Sequence, residues 1–183
     1  MVYIFYADGT EENEFTTVLD VLRRAGVDVV SVSADKESAL GTGAHGITIC
    51  TDITADETDA DECDMVIVPG GVPGVDNIAA EQACIDLIKN TYASGKTVAA
   101  ICAGPTVLAK ADVLKGKKAT AYPGFEDSLD AAGAVYVDEK VVVDGNVITS
   151  QGPGTAMDFA FALVENLKGR ETADKVKGDM LIY

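Results

Sequence analysis

The sequence is short of histidine, of positive charge and of long apolar runs, and each shortage excludes a class of function. One histidine, His45, stands among 183 residues. A Cys–His–Glu hydrolase of the glutamine-amidotransferase kind needs a histidine late in the chain, and none is there. Lysine and arginine total 14 against 30 acidic residues, a formal net charge of −16. A surface that negative repels phosphate backbones and anionic headgroups, so neither nucleic acid nor a membrane surface is an expected partner. No apolar run approaches the ~18 residues of a spanning helix. The N-terminus has no basic start and no apolar stretch followed by a cleavage site, so no signal peptide is expected. The four cysteines, Cys50, Cys63, Cys84 and Cys102, are spaced by 13, 21 and 18 residues, without a CxxC pair. That argues against a zinc ribbon or a thioredoxin-type motif, and the default is reduced thiols in a cytoplasm.

What remains is an ordinary globular composition, 48% hydrophobic and 24% charged, of a length that reads as one domain over residues 1–183. Apolar runs rich in Val and Ile alternate with helical patterns. Residues 2–7 read as a buried strand ending in the turn signal Asp8-Gly9. Phe15, Val18, Leu19 and Leu22 follow at helical spacing. Glu11, Glu12 and Glu14 stand in the first turns of that helix, Arg23 and Arg24 in the last, and Gly26 closes it. Further strands are expected at 27–33, 47–50, 65–69, 97–101 and 118–122, with helices at 81–93, 104–111 and 156–167. Residues 134–150 read as a hairpin turned at Asp144-Gly145. The alternation predicts an α/β fold, a doubly wound, mostly parallel sheet with helices on both faces. Residues 56–64 carry six acids in nine, but lack the glycine and the final glutamate of an EF-hand, so they read as a solvated loop and no metal is expected.

Three features carry chemistry. In Ala100-Ile101-Cys102-Ala103-Gly104-Pro105 a buried strand runs into a cysteine, then small residues, then a helix start. This is the pattern of a nucleophile elbow with cysteine in place of serine. The helix N-terminus behind it is expected to favour thiolate over thiol, making Cys102 the most acidic of the four thiols. Pro69-Gly70-Gly71 follows the strand at 65–69, where consecutive glycines form an anion-binding nest. No GxxxxGK(S/T) or GxGxxG sequence is present, so an oxyanion or an oxidised sulfur suits it better than a nucleotide phosphate. Glu14, at the start of the first helix, falls at the same sheet end, because the crevice of a doubly wound sheet lies beyond the carboxyl ends of its strands. A carboxyl beside a cysteine shares a proton with it as general acid or base. His45 precedes the strand at 47–50, which places it away from the crevice, as an exposed loop residue.

Together the strings ADGTEENE, LDVLRRAGVDV, VIVPGG, AAICAGPTVLA and SQGPGTAMDFAFALVE resemble the ThiJ/PfpI superfamily, in particular its DJ-one branch, over nearly the whole chain. The resemblance implies a flavodoxin-like sandwich of class I glutamine-amidotransferase-like topology, and a homodimer. It makes Cys102 the reactive cysteine and Glu14 the carboxyl that hydrogen-bonds its sulfur, with Gly70, Gly71 and Ala103 lining an oxyanion pocket. Cys50 matches a cysteine near the dimer interface of a family member. In family dimers the loop holding His45 lies near the partner subunit's pocket, so His45 would reach across. Two departures bear on activity. The protease-like branch has a histidine directly after the nucleophile; Ala103 stands there, against a peptidase. The DJ-one branch often has a pocket histidine before a proline; Tyr122 precedes Pro123 instead. Tyrosine donates a hydrogen bond but shuttles protons poorly near neutral pH.

The resemblance leaves two functional readings. One is a cofactor-free enzyme of the glyoxalase or deglycase kind, in which Cys102 attacks a small 2-oxoaldehyde and Glu14 moves a proton. The other is a stress-responsive redox sensor or chaperone whose Cys102 is oxidised by peroxide to sulfinic acid. Neither needs a metal or an organic cofactor, and the expected partners are a small aldehyde or peroxide and a second copy of the chain.

Overall fold

Val2–Tyr6 is apolar at every position and buried at every position, which a strand achieves only with helices on both sides of it. The computed structural model, which describes residues 1–182, makes it the centre of a mostly parallel sheet. In chain order the elements are β1 (Val2–Tyr6), α1 (Glu12–Arg24), β2 (Val29–Ser33), β3 (Leu40–Thr42), β4 (Thr48–Cys50), β5 (Ile53–Thr54), β6 (Met65–Val68), α2 (Gly74–Ala80), α3 (Gln82–Ala93), β7 (Thr97–Ile101), α4 (Pro105–Lys110), β8 (Lys118–Ala119), α5 (Glu126–Ala131), β9 (Val135–Tyr136), β10 (Val141–Asp144), β11 (Val147–Ser150), α6 (Ala156–Lys168) and α7 (Arg170–Asp179).

The seven-stranded sheet has the order β10-β11-β7-β6-β1-β2-β5. Every pairing in it is parallel except β10 with β11. Alternate side chains of the central strands feed two cores. Tyr3, Phe5, Val66, Val68, Val98 and Ala100 pack with residues of α2, α3 and α4 on one face. Val2, Ile4, Tyr6, Met65, Ile67 and Ile101 pack with α1, α6 and α7 on the other. The chain moves outward from β1 to β2 and then returns to the other side of β1 as β6, so the strand order reverses between β1 and β6. Loops leaving that switch point diverge and open a crevice above the strand ends.

The structure departs from the sequence reading at the short elements. Residues 47–50 do not join the main sheet; β4 pairs antiparallel with β3 in a separate hairpin. Of residues 118–122 only Lys118–Ala119 is strand, and β8 pairs in parallel with β9 outside the main sheet. The expected hairpin at 134–150 is confined to β10 and β11, joined through Gly145 and Asn146, one residue later than expected. Helices α2, α5 and α7 and strands β3 and β5 lie outside the expected elements.

Candidate active site

Cys102 follows the last residue of β7 with a φ of +64°, a left-handed conformation that non-glycine residues seldom adopt. Its neighbours hold it there. The Cys102 N–H donates to the Ser150 carbonyl at 2.9 Å, and its own carbonyl accepts from the Tyr122 N–H at 2.9 Å. The Gly104 N–H turns back to the Ile101 carbonyl at 2.8 Å. A Cβ at residue 104 would stand 2.3 Å from the Val68 carbonyl oxygen, so only glycine closes this turn. Such a conformation costs about 1–3 kcal/mol, and it lifts the sulfur out of the strand's line toward the crevice.

Gly70 forms the opposing wall. A Cβ there would meet Cys102 Cβ at 2.5 Å, Glu14 Oε2 at 2.7 Å and Cys102 Sγ at 2.9 Å. The bare Cα therefore lets carboxyl and thiol stand together. Glu14 is fully buried, and its Oε2 accepts the Gly70 N–H at 2.7 Å. Its Oε1 is buried with no hydrogen-bond partner among the described residues. Burial pushes the Glu14 carboxyl up to about 7, against the pull of the Gly70 N–H and the Cys102 side chain, with a small further push from the charge of Glu11.

Burial and the adjoining Glu14 charge push the Cys102 thiol up to about 12, while the Ala103 and Gly71 N–H groups pull it down. Burial and the neighbouring carboxyl thus oppose the thiolate preference that a helix start alone implies. The helix behind Cys102 has only six residues, and Pro105 at its start has no N–H to offer. Two backbone donors reach the sulfur, too few to outweigh desolvation and a neighbouring carboxylate. The two groups therefore titrate as a pair: one proton leaves near neutrality, and the other is held between carboxyl and sulfur. Cys84 is also pushed up to about 12 by burial, and Cys63 is raised for the same reason.

The remaining residues fall out as follows. Gly71 has a φ of +94° and, with Ala103, presents its N–H to the sulfur. The Tyr122 backbone is tied to Cys102, while its side chain is about half exposed, beside Gly152. Cys50 is exposed at the end of β4. His45 is not at the far end of the chain from the crevice. The β3–β4 turn folds back over the start of α1, where His45 Nδ1 lies 2.8 Å from Glu12 Oε2 and the His45 N–H donates to Glu12 Oε1 at 2.7 Å. Glu12 is held down to about 2: burial pushes it up, but the His45 side chain and the backbone donors of His45 and Ile47 outweigh that. His45 is raised in turn by its bond to Glu12. The sequence reading counted Glu11 and Glu12 as acids complementing a helix dipole; in the structure Glu11 caps α1 and Glu12 is a buried anchor.

Glu11, Glu12 and His45 are the described group whose metal-ligating atoms gather within 4.8 Å. Both oxygens of Glu12 are already occupied by His45 and Ile47, so a cation there would have to displace them. A cleft of about 490 Å³ opens beyond β1 and β2, beside Asp8, Lys36 and Glu81, and does not reach Cys102. Chemistry rather than cavity size marks the site. No described helix is long and apolar enough to cross a membrane.

A strand–turn–helix cysteine, a glycine wall and a buried carboxyl stand together at the switch point of a mostly parallel α/β sheet of flavodoxin-like fold. Residues 1–166 match the model of the DJ-1/PfpI family, and the chain belongs to that family. It is 39% identical over 180 residues to protein dj-1beta of Drosophila melanogaster, covering 98% of this chain and 95% of that one. It is 35% identical over 167 residues to a deglycase of Pyrococcus abyssi, covering 91% and 99%. The crystal structure of Drosophila melanogaster DJ-1beta superposes with a TM-score of 0.93 at 37% identity, covering 100% of this chain and 97% of that one.

Proposed function

We propose that this protein converts small 2-oxoaldehydes such as methylglyoxal to hydroxy acids, with Cys102 as nucleophile and Glu14 as the proton carrier. The observation that carries the reading is a fully buried carboxyl, poised at about 7, against the sulfur of a strained cysteine. A base with a value near the working pH combines availability with driving force. The deglycase name of the Pyrococcus abyssi relative supports the same substrate class.

Glu14 in its ionised form takes the thiol proton as sulfur bonds to the aldehyde carbon. The carbonyl electron pair moves to oxygen, which takes that proton from Glu14, giving a hemithioacetal and leaving Glu14 ionised again. Glu14 then removes the proton from that carbon and returns it to the neighbouring keto carbon, while the proton of the hemithioacetal hydroxyl passes to the keto oxygen. The product is a thioester of the hydroxy acid. Water adds to the thioester, the C–S bond breaks, and the sulfur leaves with a proton. The sum is aldehyde plus water to hydroxy acid, with no external oxidant. The Gly71 and Ala103 N–H groups, already directed at the sulfur, serve the oxygen that becomes negative beside it. Tyr122 stands at the rim as a hydrogen-bond donor to the substrate's second oxygen.

The test is lactate formation from methylglyoxal by the reduced protein beside its Cys102→Ser variant. Turnover in the parent alone supports the reading; equal rates in the two refute it. A second reading, a peroxide sensor or chaperone, draws on the same two N–H donors, which suit the oxygens of a sulfinate at Cys102. Peroxide that adds two oxygens at Cys102 in preference to the exposed Cys50, together with no lactate formation, would favour it. We also propose that the 183 residues act as one domain, that the protein works in the cytoplasm, and that it does so as a homodimer.

A further inference from the structure

Glu11 stands where a helix normally begins with Ser, Thr, Asp or Asn, whose short side chains reach the first free N–H groups with little loss of freedom. A glutamate there is an uncommon choice, and its contacts suggest a reason. The Glu11 N–H donates to the Gly70 carbonyl at 3.0 Å. The Gly70 N–H donates to Glu14 Oε2 at 2.7 Å. The Glu14 N–H donates to Glu11 Oε2 at 2.7 Å. Three residues thus close a ring in which each gives one hydrogen bond and receives one. The Gly70 corner of that ring is the wall against Cys102 Cβ and Sγ.

We propose that Glu11 is a positioning residue for the reactive pair: its carboxylate closes a three-residue hydrogen-bond ring that fixes the Glu14 carboxyl against the Cys102 sulfur. Besides the Cys102 sulfur itself, the donor that meets the Glu14 carboxyl is the Gly70 N–H, on Oε2. Its side chain is aimed from two ends, by Glu11 at its backbone N–H and by Gly70 at its carboxyl. The Glu11 carboxylate meets the Glu14 N–H and His45, and is not among the groups that act on the sulfur. The titratable groups that face it are Glu12 and Glu14 from its own helix, Tyr6 from β1, and His45 from the β3–β4 turn, with His45 Nδ1 at 3.8 Å from Glu11 Oε1. Among these, the like charge of Glu11 adds to the upward push on Glu14.

The inference rests on the proposed function only in taking Cys102 and Glu14 as the reacting pair. Alkylation by iodoacetamide reads that pair without an aldehyde substrate, so a protein that made no lactate would end the functional reading and leave this one to be judged by its own result. Cys102 alkylation is followed by peptide mass spectrometry against pH in the parent, Glu11→Ala and Glu11→Gln. In Glu11→Ala the ring is open, and the plateau rate at Cys102 falls by about ten-fold or more, a loss of the size expected when a proton-transfer group is displaced. In Glu11→Gln the amide oxygen still accepts the Glu14 N–H. Its plateau stays within about two-fold of the parent, and its midpoint moves to lower pH as the like charge is removed. A folded Glu11→Ala with the parent's plateau and midpoint overturns the proposal, and so does a Glu11→Gln as impaired as Glu11→Ala. Should Glu11→Ala fail to fold, the Gly70 amide decides by NMR. In the parent and in Glu11→Gln it titrates with the carboxyl it serves, near pH 7; loss of that titration in a folded Glu11→Gln overturns the proposal.

Discussion

Replacing Glu14 by glutamine exchanges an ionisable group for a neutral one of nearly the same shape at a fully buried position. The folded protein holds Glu14 at about 7, where an unfolded chain holds it at 4.5. The fold therefore favours the protonated acid, and ionising it in place costs stability. That cost is absent below pH 4.5, grows as the pH rises, and is complete above about 7. The displacement corresponds to about 3 kcal/mol. Glutamine never ionises, and its oxygen still accepts the Gly70 N–H. Its amide N–H₂ loses water without gaining a partner, but that loss is the same at every pH and cancels when two pH values are compared. The thermal midpoint of Glu14→Gln relative to the parent should thus be higher at pH 8 than at pH 4. At 2–4 °C per kcal/mol for a chain of this size, the change in the gap is roughly 6–12 °C. Calorimetry of both proteins at the two pH values measures it. A gap that does not change with pH refutes the argument that burial, and not a neighbouring partner, sets the state of Glu14.

Three further outcomes follow from the same geometry. Gly70→Ala places a methyl carbon 2.5 Å from Cys102 Cβ and 2.9 Å from Sγ, so it should separate thiol from carboxyl and lower the Cys102 alkylation rate by about ten-fold or more; an unchanged rate would show that the wall yields. His45→Ala should lower the thermal midpoint most between pH 4.5 and 6.5, because the depressed Glu12 gives stability that is lost as the pH falls toward about 2, and the raised His45 gives stability that is lost as the pH rises through its folded value. A midpoint difference that does not vary from pH 4 to 9 would remove the ion pair from the account. Phe15→Ala empties the fully buried site where the ring lies tilted against that of Tyr6, centroids 4.6 Å apart, and should cost about 3–5 kcal/mol in urea unfolding with the Cys102 site otherwise intact; a cost under about 1 kcal/mol would contradict the packing described for α1.

What the sequence made legible was the part in which local pattern and final environment agree. Phe15, Val18 and Leu22 recur at helical spacing and all three are buried against the sheet. The largely apolar segments at 65–69 and 97–101 form β6 and β7, because strands covered on both faces need no alternation. The elbow was readable because Gly104 and Gly70 are forced by contacts at the turn itself. What was not readable depends on distant partners. β3, β5, β8 and β9 are two or three residues long, and their existence is decided by the strand beside them. α7 is polar nearly throughout and buries only Ala173 and Val176. The position of His45 over the start of α1 follows from β4 turning back on β3 and not joining the main sheet, a pairing that no local pattern shows. At Cys102 the sequence shows a helix start, but not how deeply the sulfur is buried, nor that the carboxyl beside it is shut away from water.

The central claim is that Cys102 and Glu14 form one proton-sharing unit. The most direct test is the rate of Cys102 alkylation against pH in the parent and in Glu14→Gln, resolved from Cys50, Cys63 and Cys84 by peptide mass spectrometry. The account predicts that the parent rate rises through a midpoint near pH 7, where the pair loses its first proton, and that this inflection is gone in Glu14→Gln. The same inflection in both proteins would contradict it, and would leave Cys102 as a buried thiol that titrates alone.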